Sequence, residues 1–281
     1  MSSAQPLRVT AGLLPLPRPL MTGEVLDAAF RLFRAGLLRT LPYSGLAVLV
    51  LELPTLYWDF ILPGKHDPRF EYLGYLVVLA LSAALLGVIT LRLHAISRGL
   101  RPGFRGELTT VLRRWLPALI ATIGAIGLPA LLFGAASAFN NVLPMAALMV
   151  LAIPLLWPTM LLVVGLPAFW CDGLGPFASI VQAVRVSRRQ SWRVVGALVA
   201  TLCMIAVFYL LSAFVVGMAS PLIGRADLFL LAIVSSMVAL VVGAFGVPFV
   251  LAVLIVAYED LKLRDQRRRG VPASSSGEGN P

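Results

Sequence analysis

Charged residues make up only 13% of this 281-residue chain, against 59% hydrophobic ones. Ordinary soluble domains carry about 25% charge, so the composition excludes that class. Cysteine is nearly missing. Cys171 closes one apolar run and Cys203 sits inside another, with no metal-ligand spacing and no basis for a structural disulfide. Histidine is as rare, and His66 and His94 have no partners at ligand spacing. No glycine loop for a phosphate, no nucleophile elbow and no zinc-binding helix occurs, so no catalytic residue, metal or cofactor is expected. Residues 1–20 lack an uninterrupted apolar core, being broken by Pro15, Pro17, Arg18 and Pro19, and no cleavable signal is expected.

What the chain has in abundance is long apolar runs. Crossing about 30 Å of hydrocarbon takes about 20 helical residues, and continuous runs argue for helices rather than the alternating strands of a barrel. The expected architecture is all-α: a polytopic helical membrane protein with about six transmembrane helices and amphipathic surface helices on the cytoplasmic side. Spans are expected at 41–62, 72–93, 115–137, 143–170, 192–218 and 227–258. They form a single membrane domain over 22–264, between a disordered N-terminal arm at 1–21 and a disordered tail at 265–281. Pro154 and Pro158 bend the fourth span, and Gly243, Gly246 and Pro248 make the last one a tilted, broken helix.

The net charge of +10 is spread in small groups that flank the apolar runs, which excludes nucleic acid as the partner. With these spans, 20 of the Lys and Arg residues fall on the side that holds both termini, and only Lys65, Arg69 and Arg225 fall on the other. The positive-inside rule then places both termini in the cytoplasm of a bacterium, with the chain in its inner membrane.

Two amphipathic stretches accompany the spans. A surface helix is expected at 23–39, with Thr22 as N-cap and Glu24 in the first turn. Leu26, Phe30, Phe33 and Leu37 form its apolar stripe, which meets either lipid or the protein itself, and Asp27 pairs with Arg31 four residues on. The second stretch is Asp172 to Arg193. Gly175-Pro176 opens a helix there, with Phe177, Ile180, Val181 and Val184 opposite Gln182, Arg185 and Arg189. Such a helix lies along the membrane with Arg185, Arg188, Arg189 and Arg193 among anionic lipid headgroups, although Val186 and Arg188 do not fit its two faces. A weak internal repeat is also visible. Arg39-Thr-Leu-Pro42 and Arg114-Trp-Leu-Pro117 each join a basic amphipathic segment to a span, and Trp192-Arg193 stands at a third such junction.

Asp172, Gly173, Gly175, Pro176, Arg185, Trp192 and Arg193 fit, without a gap, a pattern that opens on an acidic residue and closes on Trp-Arg. Gln182-Ala183 departs from it, standing where Arg-Ser belongs. Near the C-terminus, Tyr258-Glu259-Asp260-Leu261-Lys262 is similar to a Tyr-Tyr-Asp-Leu-Arg ending. On these residues the chain, from about Pro19 to Arg264, resembles a family of bacterial multi-spanning membrane proteins. That family is related to the membrane domain fused to some glycerophosphoryl diester phosphodiesterases. The resemblance implies a fold and a location and no chemistry. No soluble segment here is long enough to hold the catalytic domain of such relatives.

Glu52 stands out among the acids. It lies about ten residues into the first expected span, near the bilayer midplane, where a carboxylate costs several kcal/mol unless protonated, hydrated or paired. It is either a working group or a protonated acid bonded to a neighbouring helix. Asp172, Glu259 and Asp260 stand at cytoplasmic span ends facing arginines, where ion pairing is the expected role. The first functional reading is a non-enzymatic accessory or regulatory membrane component that contacts lipid or a partner protein in the membrane. The second is a small-solute or ion transporter or channel using Glu52. The third is a lipid-acting membrane enzyme, which needs a second polar group beside that acid.

Overall fold

The structure is a computed structural model that describes residues 14, 16, 18–56, 68–100, 103–122, 164–187, 191–223 and 228–269. These residues are helical with short connections, and no strand occurs among them. The helices are α1 (Thr22–Leu56), α2 (Pro68–Ser97), α3 (Phe104–Thr122), α4 (Pro176–Ser187), α5 (Ser191–Ile223) and α6 (Leu228–Arg268), and residues 164–171 are also helical. Three stretches are long and apolar enough to cross a membrane: Val77–Ser97, Val195–Phe214 and Ser236–Arg268. The third and fourth expected spans fall largely outside the described residues, which include only 115–122 and 164–170 of them.

The second half of α6 is the centre of the molecule. Leu251 to Tyr258 are eight consecutive buried residues, so this stretch is enclosed on every side. A helix buried all round must be apolar all round, and LAVLIVAY is. Its neighbours in the core are Val25, Ala29 and Leu32 of α1, Ile89 and Leu93 of α2, Ala168, Ala183 of α4 and Ala197 of α5.

The surface helix expected at 23–39 and the first span do not separate at Pro42. They form one 35-residue helix, α1. Proline deprives the carbonyl four residues back of its donor. Here that residue is Leu38, which is 85% exposed, so the loss falls on an outer face that its surroundings can solvate. Of the two settings open to the apolar stripe of α1, packing on the protein accounts for only part of it. Val25, Ala29, Leu32, Gly36 and Thr40 are buried, while Phe30 is exposed and Leu26, Phe33 and Leu37 are half-buried. Small residues win the inner face because they let α1 approach its neighbours closely. A Cβ on Gly36 would stand 2.7 Å from the end of the Leu93 side chain, so an alanine there requires Leu93 to shift. Phe33 keeps one inward contact, an edge-on packing against Phe249 at 5.5 Å.

The helix start differs by one residue. The Glu24 carboxylate accepts a 2.7 Å bond from the Met21 N–H, the N3-to-N-cap half of a capping box, so Met21 rather than Thr22 takes the cap position. That bond first, and the Arg18 guanidinium second, hold the Glu24 carboxyl below the usual range. The arm is also less free than its composition suggests. Leu14 is buried in the core, its N–H donates to the Ser97 carbonyl at 2.9 Å, and Leu20 packs on the same core. At the other end α6 runs on to Arg268, four residues past the boundary expected at 264.

α6 also stays helical through Pro248, where a break is expected. The carbonyl that Pro248 orphans is that of Ala244, and the Ser44 hydroxyl of α1 donates to it at 2.6 Å. One serine therefore repairs the one bond that proline removes, and a continuous 41-residue helix results. Ser44→Ala is expected to destabilise the protein by about 1–3 kcal/mol, the cost of a buried carbonyl left unpaired. Pro248→Ala should restore that carbonyl's own donor and cancel most of the loss. Thermal unfolding in detergent of the two single variants and the double variant checks this, and equal losses with and without Pro248 would refute it.

Candidate functional site

The described polar contacts gather at one end of the bundle, where α6 passes from apolar core to charged tail. Four of the five residues Tyr258 to Lys262 each reach a different partner or atom. The Tyr258 hydroxyl donates to Asp172 Oδ2 at 2.5 Å, and Lys262 Nζ donates to Asp172 Oδ1 at 2.8 Å. Glu259 faces Arg98, just past the end of α2, at 3.7 Å. Asp260 accepts the Leu20 N–H at 2.7 Å and the Arg264 Nε–H at 2.8 Å, and Arg264 in turn donates to the Leu20 carbonyl. Helical spacing explains the division. Residues 258 and 262 share a face turned to Asp172, while 260 and 264 share another turned to the arm. Only Leu261 of the five is apolar, and it is buried.

Asp172 opens the connection into α4, and local chemistry fixes that connection. Gly173 has φ +69°, which side chains rarely tolerate, and the Arg114 guanidinium lies 3.0 Å from where a Cβ would stand. Arg114 also donates to the Phe169 carbonyl. The Ser179 N–H then bonds to the Gly175 carbonyl, and Pro176 takes the first helical position, where a missing N–H costs nothing. Trp170, one turn earlier, lies against Gly87 of α2, where any Cβ would collide with the indole.

A second polar knot joins α1, α2 and α3. Arg92 lies within the apolar run of α2, 9% exposed, and its Nη2 donates to Glu107 Oε2 at 2.6 Å while its Nε donates to the same oxygen at 3.0 Å. Its Nη1 donates to the Arg39 carbonyl at 3.0 Å, and the guanidinium stacks 4.5 Å from the Tyr43 ring centre. Each face of this cation therefore has a partner, the condition under which a buried ion pair holds. Sequence reasoning missed Glu107. The signal was present, since it is the lone acid in a connection that carries Arg98, Arg101, Arg105, Arg113 and Arg114.

The structure brings Asp172, Glu259 and Asp260 to one end of the bundle and pairs each with a cation. Arg185 lies exposed on α4. Arg188 and Arg189 lie outside the described residues, and the side chains of Arg193 and Glu52 do too, although their backbones belong to α5 and α1. Cys171, just past the fourth expected span, is half-buried. Burial first, then the Glu259 and Asp172 carboxylates, push its thiol up and away from the thiolate a nucleophile needs. No three His, Cys, Asp or Glu side chains among the described residues stand close enough to hold a metal ion. A hollow between Leu20, Ala197, Asp260 and Leu261 measures about 10 Å³, the size of one water and too small for a substrate.

What the arrangement does chemically is hold segments together. Glu107→Ala leaves Arg92 buried without its counter-ion and is expected to cost about 3–5 kcal/mol. Replacing both partners, as Arg92→Leu with Glu107→Leu, should recover most of that loss. Thermal unfolding and the accumulated level of the three proteins check this, and a Glu107→Ala protein as stable as the parent would refute it. No protein-family model, no curated protein and no solved structure matches this chain.

Proposed function

We propose that the chain is a six-span integral protein of a bacterial cytoplasmic membrane, with both termini in the cytoplasm. In this reading it acts without catalysis, as an accessory or regulatory component that contacts lipid or a partner protein. The observation that carries it is the use made of the acids. Asp172, Glu259 and Asp260 are each engaged by a cation or a backbone N–H at a joint between segments, which is scaffolding chemistry. The two stretches that resemble the phosphodiesterase-related membrane family also meet, through Asp172 with Tyr258 and Lys262, 86 and 90 residues apart. That contact supports the family reading, because it gives both halves of the pattern one physical task. The topology rests on the 20-to-3 division of Lys and Arg.

The transporter reading rests on Glu52, whose side chain lies outside the described residues, and the lipid-enzyme reading needs a second polar group beside it. Neither gains an observation from the contacts above. Reporter fusions after Lys65, Asn141 and Arg225 should sit in the periplasm, and those after Arg105, Arg189 and Arg269 in the cytoplasm. Proteoliposomes of the full chain should pass protons, sodium and potassium no faster than empty liposomes. A flux that depends on the protein and is lost in Glu52→Gln would overturn the accessory reading in favour of transport.

A further inference from the structure

α3 has three faces rather than two. At about 100° per residue, Glu107, Val111 and Ala118 fall together and are buried. Phe104, Leu108, Leu112 and Trp115 fall on the next arc and are exposed, Leu112 by 58%. Arg105, Thr109 and Arg113 follow on a third, exposed arc. α4 repeats the arrangement. Ser179, Ala183 and Val186 are buried, Phe177, Val181 and Val184 are exposed on the next arc, Phe177 by 76%, and Arg185 lies beyond them. This third face explains Val186, which fits no two-faced helix. The first half of α1 shows the same order, with Val25, Ala29 and Leu32 buried, Phe30 exposed beside half-buried Leu26 and Phe33, and last a charged arc of Arg34 and of Arg31 paired with Asp27.

In all three helices the sequence of faces, buried then apolar then charged, runs in the same sense about the axis. Each helix also leads into a long apolar run, α1 through Pro42 and α3 through Pro117 without a break, and α4 into α5 after 188–190. The buried faces are pinned to the core, α3 by the Glu107–Arg92 pair and α4 by the approach of Ser179 and Ala183 to Gly165. The outer faces therefore cannot turn inward. An apolar arc bordered by arginines matches the boundary between acyl chains and anionic headgroups, and neither water nor hydrocarbon alone suits both arcs.

We propose that α3, α4 and the first half of α1 form a three-helix collar seated in the headgroup–acyl boundary of an anionic leaflet. Phe104, Leu108, Leu112, Phe177, Val181 and Val184 enter the acyl layer, and Arg105, Arg113 and Arg185 bind lipid phosphates. This rests on the membrane-spanning reading above and adds to it which residues meet lipid, and which lipid.

The test uses the full-length Cys171→Ser/Cys203→Ser protein in vesicles, with a nitroxide placed in turn at Leu108, Leu112, Val181 and, as reference, Leu210 of α5. All four labels should be reached by membrane-dissolved oxygen and shielded from an aqueous nickel complex, with Leu210 deepest. In vesicles of mixed phosphatidylglycerol and phosphatidylcholine, the unlabelled protein should retain the anionic lipid. Arg105→Gln, Arg113→Gln and Arg185→Gln, all at exposed sites, should each lower that preference about fivefold. If Leu210 meets lipid while the other three meet the nickel complex, the collar is refuted and the spanning reading stands. If Leu210 also meets the nickel complex, both fall. Shielding of the three from both reagents would mean that protein covers the arcs, and unchanged lipid preference in the Gln variants would remove the anionic part; either result overturns the proposal.

Discussion

The structure depends on the transition that α6 makes within a single turn, from a stretch enclosed on all sides to Tyr258-Glu259-Asp260-Leu261-Lys262. Polar groups that close to a packed core cannot be left to water, because an unpaired buried carboxylate or amide costs far more than a made bond returns. Tyr258, Asp260 and Lys262 find hydrogen-bond partners on other segments, while Glu259 meets only Arg98, at 3.7 Å, and its Oε1 makes no hydrogen bond. The partners are Asp172, Arg98 and the backbone of Leu20, which lie on three parts of the chain distant in sequence. One helix end thereby fixes the start of the α4 connection, the end of α2 and the path of the arm.

The same rule recurs wherever polarity enters the apolar bundle. Pro248 orphans a carbonyl and Ser44 answers it from α1. Arg92 sits in an apolar run, and Glu107, the Arg39 carbonyl and the Tyr43 ring enclose it. Each of these is an inter-helix contact, so satisfying a local polar group also sets which helices are neighbours. Between the polar joints, small residues set the distances. At Gly36 against Leu93, Gly87 against Trp170 and Gly243 against Val48 a Cβ would force its neighbour to shift, which marks close approaches of α1, α2 and α6.

Much of this was legible in the sequence, in different degrees. Uninterrupted apolar runs point to helices, and three helical stretches among the described residues are long and apolar enough to cross a membrane. The pattern at Asp172 and the one at Tyr258 are each visible, but nothing in a linear chain says that they touch; that pairing is tertiary. Periodicity finds an apolar stripe on α1 but does not say which face of the helix turns inward. Hydrophobic periodicity points to Leu26, Phe30, Phe33 and Leu37, whereas close packing among apolar helices favours Ala29, Gly36 and Thr40. Pro248 does not break α6, because a serine elsewhere pairs with the carbonyl it orphans, and α1 runs on through Pro42, whose orphaned carbonyl lies on an outer face. Nor does the linear chain say that, among the described residues of the arm, Leu14 is buried and the Leu20 N–H bonds to a carboxylate 240 residues away.

The claim that the polar end of α6 fixes separate segments can be measured by amide hydrogen exchange on the water-accessible side of the full-length protein in lipid. In the parent, the Leu14 and Leu20 amides should be protected, since they donate to the Ser97 carbonyl and to Asp260. Asp260→Ala should speed exchange over the arm by about tenfold or more, the loss of roughly one charge-assisted bond, and leave α4 as it was. Asp172→Asn should do the reverse, loosening residues 172–187 and sparing the arm. Arm amides that exchange at the free rate in the parent, or two variants that leave both segments unchanged, would contradict the account.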